Sequence, residues 1–252
     1  MIVPASYLQT DPRWSNNNYS TTGEQTTIGK SGCGPTCMAM VIATLKDKNV
    51  TPADTAAWSR ANGYKARNQG TYYSYFKPQG EVYDIKVARV NASNTYGNTA
   101  NPAHDKALEA IKSGNWVICC MGKGNWTSSG HYILWYGMDG DKALINDPNS
   151  SKPSRIRAEL SLLQRQVKYY WIVTVPKEGE EVTQEQFNEF FHNMIVQLRK
   201  QPPQDWSEED RTWAESMGLI TGNENGEKQY RDYVTREQLT VFMHRLFSLF
   251  KG

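Results

Sequence analysis

The rhythm of apolar and polar positions changes twice along the chain, and the changes divide it. After Pro35, the run Cys37-Met38-Ala39-Met40-Val41-Ile42-Ala43 predicts a buried helix reaching Lys46. Thr51-Pro52-Ala53-Asp54 supplies an N-cap, a first-turn proline and an early acid, which predict a second helix running to Ala61 and stopped by Gly63. Glu81 to Val90 alternates as a half-buried strand does. Ala107, Leu108 and Ile111 at helical spacing predict an amphipathic helix from Asp105 to Ser113, closed by Gly114, with His104 ahead of it at the surface. Beyond Gly114 the period becomes two. Residues 116–121, 131–136, 142–146 and 169–175 read as strands, with turns at Gly122-Lys123-Gly124 and Asp139-Gly140-Asp141. Helices followed by an antiparallel sheet make an α+β class.

The flanks are different in character. Residues 1–30 read as a loop-rich entry with a short strand over Val3 to Gln9, a turn at Asp11-Pro12-Arg13-Trp14 and a polar loop from Gly23 to Gly29. The aromatic stretch Gly70 to Phe76 suits either a core or the wall of a cleft. Residues 177–182 are charged and lack apolar anchors, so they read as a linker between a domain over 1–176 and a helical module over 183–252. In that module Thr183 caps a helix whose Phe187, Phe190, Phe191, Met194, Ile195 and Leu198 share a face, ended by Pro202-Pro203. Ser207-Glu208-Glu209-Asp210 opens a second helix stopped by Gly218, and Thr235 opens a third carrying Leu239, Phe242, Met243, Leu246 and Phe247. Val182-Thr183-Gln184-Glu185-Gln186 is echoed by Val234-Thr235-Arg236-Glu237-Gln238, and the same offset aligns Phe190 with Phe242, which suggests a repeated unit packed as a small all-α bundle.

Composition narrows the chemistry. With 252 residues and a net charge of only +2, the chain has room for a core and carries no basic block that would suit nucleic acid. Four cysteines, two of them adjacent, make no disulfide framework, and the scattered histidines offer no metal cluster, so no cofactor or metal is expected. No glycine-rich stretch ends in the lysine and hydroxyl pair that a phosphate loop needs. The start of the chain shows no secretory leader, and no segment is long enough for a membrane span.

One stretch does point to chemistry. In Ser31-Gly32-Cys33-Gly34-Pro35-Thr36 the glycines free the backbone for a tight turn into the first helix, which places Cys33 at a helix N-terminus. The helix dipole there favours thiolate, the nucleophilic form. His131 opens a strand after Gly130, and Asp147 closes the next strand, so a hairpin brings the carboxylate beside the ring. Cys33, His131 and Asp147 then form a relay: the thiolate attacks a carbonyl, the imidazole takes and returns a proton, and the acid fixes the tautomer.

Gly-Cys-Gly-Pro-Thr at Cys33, the opening Gln9-Thr10-Asp11-Pro12-Arg13-Trp14, Gly130-His131 and Asn146-Asp147-Pro148 together resemble the papain-like cysteine peptidases of the double-glycine leader peptidase-like group. The resemblance spans most of residues 1–176. It implies a papain-like fold with the nucleophile on a central helix, the histidine and acid on the sheet, and a glutamine that donates to the oxyanion. Gln9 fits the opening motif, whereas Gln25 lies nearer in sequence without motif support; the amide of Cys33 is the second donor. Trp213-Ala214, Gly218-Leu219-Ile220-Thr221-Gly222 and Tyr233-Val234-Thr235-Arg236-Glu237-Gln238 resemble the S-layer homology repeat, which implies attachment to bacterial wall polymers. A hydrolase followed by wall-binding helices resembles phage endolysins, which wait in the host cytoplasm until released. The expected function is therefore cysteine-dependent cleavage of an amide bond in bacterial cell-wall peptidoglycan, by endopeptidase or amidase action. The alternatives are a peptidase acting on a protein or leader peptide and a papain-like binding protein without chemistry.

Overall fold

The computed structural model describes residues 2–176 and 184–249, and the chain divides into two compact units, Met1–Glu178 and Gly179–Gly252. In the first unit, short helix α1 (Ile28–Ser31) leads into α2 (Cys33–Leu45), followed by α3 (Pro52–Ala61), α4 (Phe76–Val82), strand β1 (Val87–Arg89) and α5 (Ala103–Lys112). Then come β2 (Trp116–Met121), β3 (His131–Asp139), β4 (Lys142–Asn146), α6 (Pro153–Ile156), β5 (Arg157–Glu159), α7 (Leu160–Gln166) and β6 (Val167–Val173). The strands form one six-stranded sheet in the order β1-β6-β2-β3-β4-β5, every neighbouring pair antiparallel. This is an α+β architecture.

Alternation along the strands explains why the sheet has two cores. In β2, Trp116, Ile118 and Cys120 face one way into a cluster with Met38, Val41, Ile42, Phe76 and Trp171, while Val117, Cys119 and Met121 face a second cluster with Ala107, Ile111, Trp135 and Tyr170. Because both faces are covered, all six residues of β2 are buried and the strand reads as an unbroken apolar run. Helix α2 is buried from Cys33 to Ile42. A helix so apolar on every side belongs inside, and it packs against α3 and β3. Asp54 closes the N-terminus of α3 by accepting from the Thr51 amide at 2.8 Å and its hydroxyl at 2.6 Å.

Several expectations are corrected. The stretch Glu81 to Val90 is not one strand: its first residues end α4, Asp84 turns the backbone at φ 51°, and only Val87–Arg89 pairs with β6. Burial of Phe76, Gln79 and Gly80 at helical spacing outweighs the apparent alternation. His104 is not at the surface. It is buried with Nδ1 2.8 Å from the Tyr170 hydroxyl and Nε2 2.8 Å from the Asn98 carbonyl, so both ring nitrogens are satisfied. Val3 to Gln9 forms no strand and is held by isolated bonds, such as Ala5 N–H to the Thr44 hydroxyl at 2.8 Å. The polar loop drawn from Gly23 to Gly29 ends in α1, and α2 begins at Cys33, two residues ahead of Pro35.

In the second unit α8 (Gln184–Lys200) is followed by a 3-10 turn at Asp205–Ser207, α9 (Glu208–Ser216) and α10 (Arg236–Leu249). The linker at 177–182 and the Thr183 cap lie outside the described residues. Ala214 and Leu219 are the buried apolar residues described in this unit, while Phe187, Phe190, Trp206, Trp213 and Phe247 are exposed. Among the described residues, no helix is long and apolar enough to cross a membrane.

Candidate active site

Cys33 is the first residue of α2, with Gly32 as N-cap. Its other neighbour is small for a steric reason: a Cβ on Gly34 would stand 2.8 Å from the Thr71 hydroxyl oxygen and 3.0 Å from the Thr71 Cβ. The loop bearing Thr71 can therefore lie against the start of the helix. It is fixed there by the Tyr19 hydroxyl at 2.7 Å from the Thr71 hydroxyl, and by the Tyr132 hydroxyl, which donates to the Thr71 carbonyl at 3.0 Å.

The sheet brings the other two predicted groups to this point. The β3–β4 hairpin sets the end of β4 beside the start of β3, and Asp147 Oδ1 lies 2.7 Å from His131 Nε2. That contact leaves Nδ1 for the thiol. All three groups are buried. Burial alone would push the Cys33 thiol up, but the hydrogen bond and positive charge of His131, with the backbone amides of Tyr132 and Gly34, bring it below its ordinary value. Burial likewise opposes a charged imidazole, yet the bond to Asp147 and the bond and charge of Cys33 raise His131 to about 9. Both shifts favour the same state, a thiolate beside an imidazolium. Cys37, Cys119 and Cys120 go the other way, pushed up by burial.

Asp147 is held from three directions. Besides His131, Oδ1 accepts from the Asn149 amide at 2.9 Å, and Oδ2 sits 2.6 Å from Arg155 Nε. That last contact is an ion pair rather than a hydrogen bond, because the N–H does not point at the oxygen. Arg155 also donates to the Trp126 carbonyl at 2.6 Å, and the Trp126 indole donates to the Arg155 carbonyl at 2.9 Å. Nothing around Arg155 in the sequence singles it out. Its one signal is position, a cation in the short helix α6 that follows the turn after Asp147, and arginines at such places usually face solvent.

Gln9 and Gln25 both line the cleft that holds Cys33 and His131. Gln9 is buried, its Nε2 donates to the Gly29 carbonyl at 2.9 Å, and its Oε1 has no partner. The Gly29 carbonyl fixes which end of the amide is the donor, so a second N–H remains for a ligand. Gln25 is exposed.

The cleft has two compartments that meet at Cys33 and His131. One, of about 740 Å³, runs past Gln9, Glu24, Lys30, Trp126 and Arg155; the other, of about 440 Å³, runs past Tyr72, Tyr73, Cys120 and Lys168. The aromatic stretch thus divides, with Tyr75 and Phe76 in the core and Tyr72 and Tyr73 on the cleft wall. The loops bordering the cleft are tied by a buried pair, Lys65 Nζ to Glu24 Oε1 at 2.6 Å, and the same ammonium donates to the carbonyls of Ala66 and Gln69 at 2.6 and 2.7 Å. Glu24 in turn accepts from the Asn68 amide at 2.6 Å. Among the described residues, no cluster of side chains could hold a metal ion. A buried thiolate with a proton donor at its side and amides at a helix start suits attack on an acyl carbon.

Residues 12–176 match the Peptidase_C39 like family. Among solved structures, the chain is similar to the peptidase domain of Streptococcus ComA, a bi-functional ABC transporter involved in a quorum sensing pathway, at 16% identity over 58% of this chain and 93% of that one, with a TM-score of 0.40. It is also similar to a double glycine motif protease from an AMS/PCAT transporter, solved in complex with the leader peptide, at 17% identity over 57% of this chain and 84% of that one, with a TM-score of 0.38. No curated protein matches the chain.

Proposed function

Since the chain belongs to the Peptidase_C39 like family of cysteine peptidases, we propose that it hydrolyses an amide bond in bacterial peptidoglycan, with Cys33 as nucleophile, His131 as proton carrier and Asp147 as the group that orients the ring. The observation that carries the chemistry is the buried sequence of contacts from Cys33 through His131 to Asp147, in which the thiol is lowered and the imidazole raised. In the first step the Cys33 sulfur attacks the carbonyl carbon, and the amide of Cys33 with the free N–H of Gln9 receives the developing oxyanion. Collapse breaks the carbon–nitrogen bond, and the His131 proton goes to the leaving amine. A thioester and a neutral imidazole remain. Water then gives a proton to His131 as its oxygen attacks the thioester, which releases a carboxylic acid that ionises into solvent and restores the thiolate–imidazolium pair.

The wall as substrate rests on the second unit. Its resemblance to an S-layer homology repeat and its helices α8, α9 and α10 support a small helical module that holds the enzyme on wall polymer. Partner and boundaries follow from this reading: residues 1–176 act, 177–182 connect and 183–252 bind, as in an endolysin released from the host cytoplasm. The second reading is a peptidase that cuts a protein or leader peptide, which the family membership favours.

Clearing of purified bacterial walls, followed by mass analysis of the fragments, separates these readings. The intact protein should clear walls and release new amines, and Cys33→Ala should be slower by about 10⁴-fold or more. Equal clearing by Cys33→Ala removes the thiol from the mechanism. Wall inertness together with cleavage of a leader-type peptide selects the second reading. A chain ending at residue 178 should cut soluble wall fragments as the full chain does, yet fail to sediment with intact walls.

A further inference from the structure

The smaller compartment of the cleft has a built-in charge that the reaction does not use. In the β2–β6 pairing Cys120 faces Tyr169 and Met121 faces Val167, so Lys168 is an extra residue with no opposite number. A bulge of this kind breaks the alternation of a strand and re-aims the side chain beside it. Lys168 lines the compartment with Cys33 and His131, and its Nζ lies 3.8 Å from where a Cβ on Gly130 would stand. The ammonium is therefore next to the residue that precedes His131.

The bulge is held in place by a separate loop. Thr95, fully buried, donates from its hydroxyl to the Val167 carbonyl at 2.9 Å and from its amide to the Lys168 carbonyl at 3.1 Å. Asn91 Nδ2 also donates to the Lys168 carbonyl at 3.0 Å, while Asn91 Oδ1 accepts from the Tyr170 amide at 3.0 Å, where the ladder resumes. Carbonyls that the bulge would have left unpaired are thus satisfied, which makes it a stable feature.

Charge in the two compartments is unequal. Among the described residues, no carboxylate lines the Lys168 side, whereas Glu24 lines the other. On that other side Arg155 is paired with Asp147 and Glu24 with Lys65, and Lys30 is an exposed lysine at the wall rather than a half-buried one. Arg89 does not line the compartment but stands against its aromatic side, its guanidinium 4.5 Å from the centre of the Tyr169 ring and 5.5 Å from that of Tyr73, which does line it. A half-buried ammonium beside tyrosine rings, in a compartment that no carboxylate lines among the described residues, fits an anionic group brought by the substrate.

We propose that Lys168 determines specificity by binding a carboxylate of the substrate peptide close to the scissile amide, so that chains bearing a free acid there are cut in preference to their amidated forms. The proposal rests on the hydrolytic reading of Cys33 and names the substrate group that the same cleft selects.

Two probes that differ only in a carboxylate test it on the full chain. Iodoacetate and iodoacetamide both alkylate Cys33, with iodide leaving as the sulfur–carbon bond forms, and mass analysis of the Cys33 peptide gives the ratio of the two rates. The other three cysteines are buried with raised pKa values and stay unlabelled. At low salt Lys168→Gln should lower the iodoacetate to iodoacetamide ratio by about fivefold, the scale of one partly exposed ion pair. Lys168→Glu should lower it further, Lys168→Arg should keep it, and roughly 0.5 M salt should flatten the wild-type preference. Labelling of Cys37, Cys119 and Cys120, which are buried in the folded chain, reports any unfolded fraction in each variant, and only preparations without it are compared. In parallel, the wild type should release amines faster from native walls than from walls whose carboxylates have been amidated with a carbodiimide, and Lys168→Glu should lose that difference. An unchanged alkylation ratio in Lys168→Gln and Lys168→Glu overturns the proposal, whatever the walls show. A ratio that moves with Lys168 while walls stay intact supports the carboxylate site and overturns the wall reading instead.

Discussion

Trp116, Trp126, Trp135 and Trp171 of the first unit are at most 2% exposed, whereas Trp206 of the second is 81% exposed and Phe190 69%. Both units were expected to have apolar faces, and both have them. In the first, helix α2 and the two faces of the sheet cover one another, and each buried aromatic removes on the order of 150–250 Å² from water. In the second, α8 and α10 carry stripes of Phe, Leu and Met that remain largely in solvent. The difference shows what periodicity contains. Spacing says that a helix has an apolar side, and only the rest of the fold says whether anything lies against it. The site sits where the covering is complete, and a reacting group needs that rigidity to be held within about half an ångström.

The strongest way to break this comparison is to remove the group that makes burial useful to the chemistry. In His131→Ala the burial of Cys33 is no longer opposed, so the thiol should move from below its ordinary value of 9.0 to above it. Labelling by iodoacetamide at about pH 7 should drop, and amide hydrolysis should fall by about 10³-fold. In the wild type the imidazolium persists up to its raised value of about 9, so the rate should hold on a plateau from the lowered thiol pKa to about 9 and decline above it. A rate that climbs steadily through pH 9 would mean that the pair is not formed.

Trp171→Ala sharpens the contrast in stability. It empties a buried position that touches Phe76, Tyr132 and Tyr169, and denaturant unfolding should show a loss of about 3–5 kcal/mol. Arg155→Ala should act less strongly. Asp147 Oδ2 would lose its ion pair, and kcat should fall by about tenfold with little change in KM, the usual scale for a residue that supports a ligand-holding group. Trp206→Ala should change stability by no more than about 0.5 kcal/mol. A loss near that of Trp171→Ala would mean that the second unit has its indole covered in solution, and the contrast between the units would disappear.

How much of this could be read in advance depended on how local each cause was. The glycines around Cys33, the strand opening at His131 and the strand end at Asp147 are local signals, and all three side chains meet. The four strands over 116–175 were visible because their apolar runs are bounded by Gly and Asp turns, whereas β1 was hidden inside the longer alternation read over Glu81 to Val90 and the three-residue β5 was too short to show a period. His104 looked like a surface residue because its partners, Tyr170 and Asn98, come from other segments. Arg155 and Lys168 were missed for the same reason. Cations in short surface helices and at strand ends usually face water, and nothing near them in sequence tells of a buried carboxylate or a bulge. Gln9 was placed by resemblance, and its burial beside the Gly29 carbonyl follows from contacts twenty residues away.

The Lys65 ammonium, surrounded by Glu24 and the carbonyls of Ala66 and Gln69, has a consequence for how a chain enters the cleft. To swing one border loop outward, the protein would have to pull apart this buried ion pair, and a partner left behind without its counter-charge costs several kcal/mol. The rails are thus set before any guest arrives, and the ordering entropy that an encounter would otherwise demand has already been met during folding. Extended, slender strands of polymer can slide through such a slot, while a folded globule finds no hinge to pry.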